Sequence, residues 1–293
     1  MIRLGTRGSR LALIQSEMFA RRLRAAGHQV ELVTIVTEGD VREAGTAPGE
    51  GIFVAAIARS LRRLEVDVAV HSAKDVPLEE DPELIISAYP ERADPRDALV
   101  TPHGRGSLRT LSEGATIGTD STRRAGFLRA ARPDLRIVPL HGNVDSRLRR
   151  LDAGECDAVV LAAAGIERLG RGDRIDERLD PELVTPAPAQ GALAIQARRS
   201  DSRLLDLLAA FDRADLRLAV EAEREVLQAT GGTCRAPVGA LATVCGDRFT
   251  MVVGGVNSDG SDMSSEWIEG PRSETISLAR DAGRRLAGSV MLR

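Results

Sequence analysis

Lysine is almost missing from this chain of 293 residues: Lys+Arg total 40, and Lys74 is the only lysine among them. Aromatic residues make up 2% of the chain, which leaves few rings on which bases could stack and argues against a nucleic-acid partner. The three cysteines are scattered and form no CxxC pair. The sequence therefore predicts neither a disulfide framework nor a zinc site, and we expect no bound metal.

Excess charge of one sign and long apolar runs are also lacking. The net charge is −3, so no strong basic field would draw the chain to nucleic acid or to a membrane surface. No apolar run approaches the roughly 18 residues that cross a bilayer, and the first residues predict a strand and not a secretory signal. We therefore expect a cytoplasmic, monomeric protein whose partner is a small molecule, with no nucleic acid and no membrane involved.

Apolar strands and amphipathic helices alternate along the first two thirds of the chain. A strand at 2–4 leads to a helix that Ser9 can cap, and 66–70 has the continuous apolar character of a central parallel strand. The glycine-rich stretch 37–51 is predicted to form a long mobile loop over an active site. A second unit opens as the first does, with a Gly-Thr turn followed by Ser121 at a helix start.

The C-terminal part of the chain has a different pattern. From residue 238 onward, three segments alternate apolar and polar positions around two turns, which predicts an antiparallel three-stranded sheet closed by a helix at 273–290. The predicted fold class is α/β, with two α/β lobes and a smaller C-terminal α+β domain. We expect domain 1 at 1–91 and 192–210, domain 2 at 96–186, and domain 3 at 214–293.

The single lysine stands beside an acid in the segment 71–77 (HSAKDVP), directly after the predicted central strand. Open α/β sheets bind ligands outside the carboxyl ends of their strands, which is where this segment is expected. A compact ammonium is not equivalent to a guanidinium, so the retention of Lys74 in an arginine-rich chain indicates chemistry. The carboxylate of Asp75 could hold N–H donors or stabilise a developing cation. The alternative is a solvated surface pair.

Arginines begin the helix after the second Gly-Thr turn. Arg123 and Arg124 lie in its first turn, where the helix dipole disfavours positive side chains, so a bound anion would explain them better than solvent does. Arg7 follows the first Gly-Thr turn, and Arg147 lies on a later helix. Because arginine binds carboxylates through paired hydrogen bonds, we expect a ligand that carries carboxylates. A solvated helix start is the alternative.

One cysteine lies in a loop that would expose it. Cys234 follows two glycines and precedes Arg235, whose charge would favour the thiolate. Such a thiol could serve as a nucleophile or as an attachment point. A lone cysteine is more often a packing residue, and Cys156 and Cys245 are interpreted as core residues because both lie in or beside apolar strands.

Taken in order and at their spacing, these motifs resemble the porphobilinogen deaminase (hydroxymethylbilane synthase) family along nearly the whole chain. The matching segments are GTRGS at 5–9, TEGD at 37–40, HSAKDVP at 71–77, DPRDA at 94–98, 118–124, RPDL at 132–135, 142–148, 162–170, PAQGA at 188–192, and Cys234 with Pro237.

The resemblance implies a three-domain fold whose first two lobes are like type II periplasmic binding proteins. It also implies a dipyrromethane cofactor, built from substrate and held by a thioether to Cys234. The family joins four porphobilinogens head to tail, releasing ammonia each time, to give hydroxymethylbilane for porphyrin and heme biosynthesis. By position, Asp75 would be the catalytic carboxylate that binds pyrrole N–H groups and stabilises the cationic azafulvene formed when ammonia leaves.

The resemblance assigns two further groups of residues. Those expected to hold acetate and propionate groups of the cofactor are Lys74, Ser72, Ser121, Arg123, Arg124 and Arg147. Those expected to contact the substrate are Arg7, Ser9, Gln15, His141 and Gln190.

Three residues depart from the family pattern. His141 stands where the family usually has an arginine, Glu50 where it often has a lysine, and Asp120 where it often has a serine. Each change makes the site less positive, and the shorter imidazole should weaken carboxylate binding. Two alternatives therefore stay open: a divergent paralogue with impaired elongation, and a non-catalytic solute-binding or sensing protein on the same two-lobed fold.

Overall fold

The structure is a computed structural model, and it describes residues 1–36, 52–79, 81–102, 104, 106–232 and 236–289. The loop predicted at 37–51, which includes Glu50, and the predicted attachment residue Cys234 lie outside the described residues. Contacts within the chain group it into two compact units. The first unit is Met1–Arg92 with Ala192–Arg217, and the second unit is Ala93–Gly191 with Leu218–Arg293.

The first unit is built on a mixed sheet with helices packed on it. Its elements are β1 (Ile2–Arg7), α1 (Arg10–Ala25), β2 (Val30–Ile35), α2 (Ile52–Arg62), β3 (Val68–Ser72), β4 (Leu84–Ala88), β10 (Leu193–Arg198) and α6 (Ser202–Ala209). The sheet has the order β2-β1-β3-β10-β4. Strand β1 is parallel to β2 and β3, whereas β10 is antiparallel to β3 and β4.

The second unit contains a sheet of the same kind. Its elements are β5 (Asp97–Val100), β6 (Thr116–Gly118), α3 (Thr122–Ala131), β7 (Arg136–Val138), α4 (Val144–Asp152), β8 (Ala158–Ala162), α5 (Ala163–Arg168) and β9 (Glu177–Arg178). The sheet order is β7-β6-β8-β5-β9. Strand β6 is parallel to β7 and β8, and β5 is antiparallel to β8 and β9.

The C-terminal part of the chain supplies a third sheet. Its elements are α7 (Ala214–Ala229), β11 (Val238–Cys245), β12 (Arg248–Gly255), β13 (Ser264–Pro271) and α8 (Thr275–Ser289). The three strands are antiparallel in the order β11-β12-β13. The predicted fold class, two α/β lobes with a C-terminal three-stranded antiparallel sheet, is confirmed. The three domain boundaries given above stay a prediction.

Both faces of each five-stranded sheet are buried, which explains the continuous apolar runs of the parallel strands. In the first unit, Leu4 and Phe19 pack on one face, and Ile57 and Leu61 pack on the other. In the second unit, separate apolar clusters likewise cover the two faces. Burial on both sides fixes these strands in the interior of each unit.

Serine caps begin the first helix of each unit, as the Gly-Thr turns predicted. The Oγ atom of Ser9 accepts from the backbone N–H of Ala12 at 3.3 Å, and Ser121 accepts from that of Arg124 at 3.3 Å. Three predicted details were wrong. Cys245 was expected in the core, but it is exposed because it is the last residue of β11, at the turn into β12. The central strand runs to Ser72 instead of ending at residue 70, and β5 was not predicted, because it is short and begins with a charged residue.

Candidate functional site

In the first unit, the candidate residues follow the end of β3. Residues Ala73–Asp75 form a single 3₁₀ turn. The backbone N–H of Ala73 donates to the carbonyl of Ala192 at 3.0 Å, which ties the turn to the chain beside β10. Within the turn, Lys74 is half-buried and Asp75 is exposed. The fold therefore presents the carboxylate at the carboxyl end of a central strand, where the sequence placed it.

Ser72 and Gln15 contact each other beneath this turn. The Nε2 atom of Gln15 donates to the Oγ atom of Ser72 at 2.9 Å, and only 5% of Gln15 is exposed. The hydroxyl of Ser9 is occupied by its helix cap, and Arg7 ends β1. Gln15 and Ser9 thus have structural partners, and their roles toward a substrate stay predictions.

His71 is a neutral core histidine beside these residues. Its Nε2 atom is 3.1 Å from the Oε1 atom of Gln196 on β10. Burial lowers the pKa of His71 from 6.5 to about 4, although the hydrogen bond with Gln196 opposes the shift. A proton on His71 would place an uncompensated charge in the interior of the first unit.

In the second unit, two arginines converge on one buried carboxylate, an arrangement that we call the Asp97 cluster (Asp97, Arg123, Arg124 and Gln190). Arg123 donates to Asp97 Oδ2 at 2.7 Å, and Arg124 donates to Oδ1 through Nη2 at 2.7 Å and Nε at 3.0 Å. The side chain of Asp97 is 0% exposed. Burial alone would raise the pKa of Asp97, but the charges of Arg123 and Arg124 hold it well below its usual range.

The sequence expected a bound anion or solvent at Arg123 and Arg124, and the structure supplies an anion from the chain itself. Gln190 completes the cluster, because its Nε2 atom donates to Asp97 Oδ1 at 2.9 Å and to the carbonyl of Pro95 at 2.8 Å. Gln190 is 0% exposed, so it does not face solvent and supports the two arginines through their shared partner Asp97. The expected contact between Gln190 and substrate stays a prediction.

A cavity of about 250 Å³ lies against the N-terminus of α3, and we call it the α3 pocket. It brings together three predicted cofactor-binding residues, Ser121, Arg123 and Arg147. Arg124 is not among its lining residues. Ala236 also lines the pocket, and in the sequence a single residue separates Ala236 from Cys234. The lining therefore includes a residue two positions after the predicted attachment point.

Asp120 and His141, two of the departures from the family pattern, are in direct contact beside this pocket. His141 Nδ1 lies 2.7 Å from Asp120 Oδ2, and Leu140 donates its backbone N–H to Asp120 Oδ1 at 3.1 Å. Arg147 reaches Asp120 Oδ2 only at 3.4 Å. The sequence predicted a negative charge near the anion site, but it could not show that His141 is the closest partner of that carboxylate.

Arg147 is the least satisfied cation of the group. Its side chain is 19% exposed, and its Nε atom is buried without a hydrogen-bond partner in the part of the chain that the structure describes. Burial and the neighbouring charge of Arg124 lower the pKa of Arg147 from its usual value. Three guanidinium groups here face two carboxylates, Asp97 and Asp120, so one positive charge is left uncompensated. A carboxylate in the α3 pocket would supply the missing anion.

Sequence reasoning missed two buried acids. Asp97 lies in the DPRDA segment that carried the resemblance, where an acid opening an apolar strand was the available signal. Glu223 of α7 is 0% exposed and accepts from the backbone N–H of Ala189 at 2.6 Å and of Ala242 at 2.7 Å. Glu223 thereby fixes β11 and the segment before Gln190 to the same helix. No local pattern marked it.

Two kinds of site find no support in the described ranges. No cluster of three or more His, Cys, Asp or Glu side chains there could hold a metal ion. No helix there is both long and apolar enough to cross a bilayer.

The fold is that of a two-lobed α/β protein, and the charges that line the α3 pocket suit a ligand that carries carboxylates. Residues 2–206 match the family profile described as "Porphobilinogen deaminase, dipyromethane cofactor binding domain". The chain belongs to the porphobilinogen deaminase family, as its motifs predicted.

Curated relatives agree over most of the chain. It is 47% identical to the porphobilinogen deaminase of Acidothermus cellulolyticus over 99% of this chain and 88% of that protein. It is 43% identical to that of Roseiflexus castenholzii over 98% of this chain and 95% of that protein. With the Mycobacterium tuberculosis enzyme, the identity is 49% over 83% of this chain and 79% of that protein.

Solved structures that resemble the fold include ligand-binding domains. The second substrate-binding domain of a putative amino acid ABC transporter from Streptococcus pneumoniae has a TM-score of 0.47 and 16% identity, covering 78% of this chain and 94% of that chain. The BvgS periplasmic VFT2 domain of Bordetella pertussis has a TM-score of 0.43 and 18% identity, covering 72% of this chain and 86% of that chain. The fold assignment rests on the sheets described above.

Proposed function

We propose that this chain joins four porphobilinogens head to tail into hydroxymethylbilane, releasing ammonia at each addition, on a dipyrromethane cofactor bound to Cys234. The observation that carries the proposal is the α3 pocket. It combines Arg147, whose Nε atom has no partner among the described atoms, with Arg123 and the N-terminus of α3. One of its lining residues, Ala236, lies two positions after the loop cysteine in the sequence.

The residues that line the pocket fit a group that carries carboxylates. One guanidinium charge is left over after Asp97 and Asp120 are paired, and the helix dipole of α3 adds a partial positive charge at Ser121. Arg147 and Ser121 would bind the side-chain carboxylates, while the Asp97 cluster holds Arg123 in position. When bound, the cofactor supplies the nucleophilic pyrrole carbon to which each new unit is added.

Cys234 is proposed as the attachment point. The sulfur–carbon bond forms as the carbon–nitrogen bond of the aminomethyl group breaks, and the thiol proton leaves with the amine as ammonia. Arg235 next to Cys234 would favour the thiolate that this step requires.

Asp75 is proposed as the catalytic carboxylate. Its exposure at the end of β3 allows it to accept N–H bonds from a pyrrole and to stabilise the positive charge that develops as ammonia leaves. Lys74 and Ser72 would bind carboxylates on the same side, and Arg7, Ser9, Gln15, His141 and Gln190 would contact or support the substrate. We further propose that the protein acts as a cytoplasmic monomer.

The intact mass of the full chain tests the attachment. In a host that makes porphobilinogen, we expect the mass of a dipyrromethane adduct on the wild-type chain and its loss in Cys234→Ser. The matched control is Cys245→Ser, which removes an exposed thiol elsewhere and should keep the adduct. A bare wild-type chain would contradict the proposal and favour a solute-binding protein. An adduct without turnover of added porphobilinogen would indicate a paralogue that does not elongate.

A further inference from the structure

Asp120 is an acid inside a pocket that is otherwise suited to anions. It lines the α3 pocket together with Arg147 and Arg123. A carboxylate in this place has the same chemistry as the carboxylate of an incoming ligand. It can therefore satisfy Arg147 from within the chain, or repel the ligand if it stays close by.

Asp120 forms shorter contacts with His141 and Leu140 than with Arg147, whose ion pair with it is long. Its two closest partners, His141 Nδ1 at 2.7 Å and the N–H of Leu140 at 3.1 Å, lie outside the lining of the pocket. Arg147 is left at 3.4 Å, with its buried Nε atom unpartnered among the described residues. His141 thus competes with Arg147 for the same carboxylate oxygen.

We propose that Asp120 is a resident counter-anion of the α3 pocket and that His141 holds it off Arg147, so that the pair sets the affinity of the pocket for carboxylate ligands. This inference rests on the proposed function, because it takes the carboxylates of porphobilinogen and of the cofactor as the ligands. It makes Asp120 and His141 positioning residues that act through Arg147.

The proposal predicts opposite effects at the two positions. Removing the charge of Asp120 removes a like charge next to the bound carboxylate, which at a separation of a few ångströms is expected to tighten binding between about fivefold and a hundredfold. Removing His141 frees Asp120 to close on Arg147 and should weaken binding at least about threefold. Without the charge of Asp120, the loss of His141 should have little effect.

The test is a double-mutant cycle with Asp120→Asn, His141→Ala and the double variant. Full-length chains are made without cofactor in a host that lacks porphobilinogen, and porphobilinogen is the probe. The readout is the concentration that gives the half-maximal rate of adduct formation on Cys234, followed by intact mass. Asparagine keeps an acceptor for the N–H of Leu140, so Asp120→Asn preserves the local fold. If it does not fold, Asp120→Ser takes its place.

The matched control is Asp152→Asn, which makes the same charge change at the far end of α4 and should leave the half-maximal concentration unchanged. We expect Asp120→Asn to lower this concentration at least fivefold, and His141→Ala to change it less than twofold in the Asp120→Asn background. In the loaded enzyme, the Asp120→Asn effect should fall on KM and not on kcat.

Two results would overturn the inference. One is an unchanged or higher half-maximal concentration in Asp120→Asn, and the other is an equal effect of His141→Ala in both backgrounds. Both leave the proposed function intact as long as the wild-type chain forms the adduct. A wild-type chain that forms no adduct would overturn the proposed function and this inference with it.

Discussion

The two five-stranded sheets have the same frame but carry different chemistry. In both, one strand (β1 or β6) is flanked by two strands parallel to it, and an antiparallel strand (β10 or β5) lies between one of these (β3 or β8) and the edge strand. The same backbone bond closes both frames: Ala73 donates to Ala192 at 3.0 Å, and Ala163 donates to Arg96 at 3.0 Å. Residues can therefore be matched position by position.

The match assigns an apolar equivalent to each charged member of the Asp97 cluster. Asp97 faces the last residue of β8, as Leu193 faces the last residue of β3. Counted from the capping serines, Arg123 and Arg124 correspond to Leu11 and Ala12. The second unit thus has a buried ion cluster where the first unit has apolar packing.

The loops that follow β3 and β8 show the opposite difference, because here the charged residues lie in the first unit. The first unit has Ala73, Lys74 and Asp75 there, and the second unit has Ala163, Ala164 and Gly165. The first unit therefore has an acid after a strand, and the second unit has a cationic pocket at the start of a helix. The comparison teaches that function in this chain lies in a few residues placed at equivalent loops of a repeated scaffold.

The largest effect is expected from Asp75→Ala, which makes the first unit like the second at this loop. Turnover of porphobilinogen by the loaded enzyme should fall at least about a hundredfold, because the developing positive charge loses its carboxylate. The control is Glu79→Ala, which removes a nearby exposed acid and should leave turnover unchanged. Near-normal turnover in Asp75→Ala would show that the carboxylate assignment is wrong.

Removing charges from the Asp97 cluster tests how much the cluster contributes to the stability of the second unit. Asp97→Asn leaves two buried guanidinium groups without their anion, so the free energy of unfolding should fall by about 3–5 kcal/mol. Replacing Asp97, Arg123 and Arg124 together by Leu, Leu and Ala, as in the first unit, should cost less than Asp97→Asn alone.

Urea denaturation of the full chain measures both changes, with Asp152→Asn as the control. Asp152 is 48% exposed in its pair with Arg174, so its loss should cost at most about 1 kcal/mol. A loss in Asp97→Asn no greater than that of the control would contradict the structural role given to the cluster.

Lowering the pH should remove the stability contributed by His71 in the first unit and by Asp97 in the second unit over different pH ranges. The unfolded chain protonates His71 near pH 6.5 and the folded chain near pH 4, so the unfolded state binds more protons between these values. This contribution to stability is complete above pH 6.5 and falls as the pH drops toward 4, by at most roughly 3 kcal/mol.

Asp97 contributes in a lower range, because its pKa is held below the usual 3.8, and that stability is lost only as the pH falls further. The free energy of unfolding, measured by urea denaturation between pH 7 and pH 5, should depend much less on pH in His71→Asn than in His28→Asn. If the pH dependence of the free energy of unfolding is unchanged in His71→Asn, the two units do not differ in the way proposed.

The smallest effect is expected from His141→Arg, which adds a charge beside the α3 pocket while keeping donors for Asp120. The KM for porphobilinogen should fall by about two- to fivefold with little change in kcat, because the added charge acts on binding. Steady-state kinetics of the loaded enzyme measure both constants. An unchanged or higher KM would argue against the view that this position tunes the pocket.

Much of this arrangement follows from local sequence. The serine caps, the apolar central strands and the acid after β3 are each visible within a few neighbouring residues. The Asp97 cluster is not, because Arg124 reaches Asp97 across 27 positions of the chain and β5 is too short and too charged at its start to show a strand pattern. The contact between Asp120 and His141 was missed for the same reason, since the two residues are far apart in the sequence and meet only in the folded chain.

The lone lysine has a practical consequence. Acylating reagents that label ε-amino groups have one side-chain target in this protein, and that target is half-buried next to the exposed Asp75. Once the label on the N-terminal α-amino group is accounted for, the mass shift from such labelling reads out a single side chain without mutagenesis. Protection of Lys74 by an added ligand therefore reports occupancy at the β3 end directly, independently of whether any pyrrole is consumed.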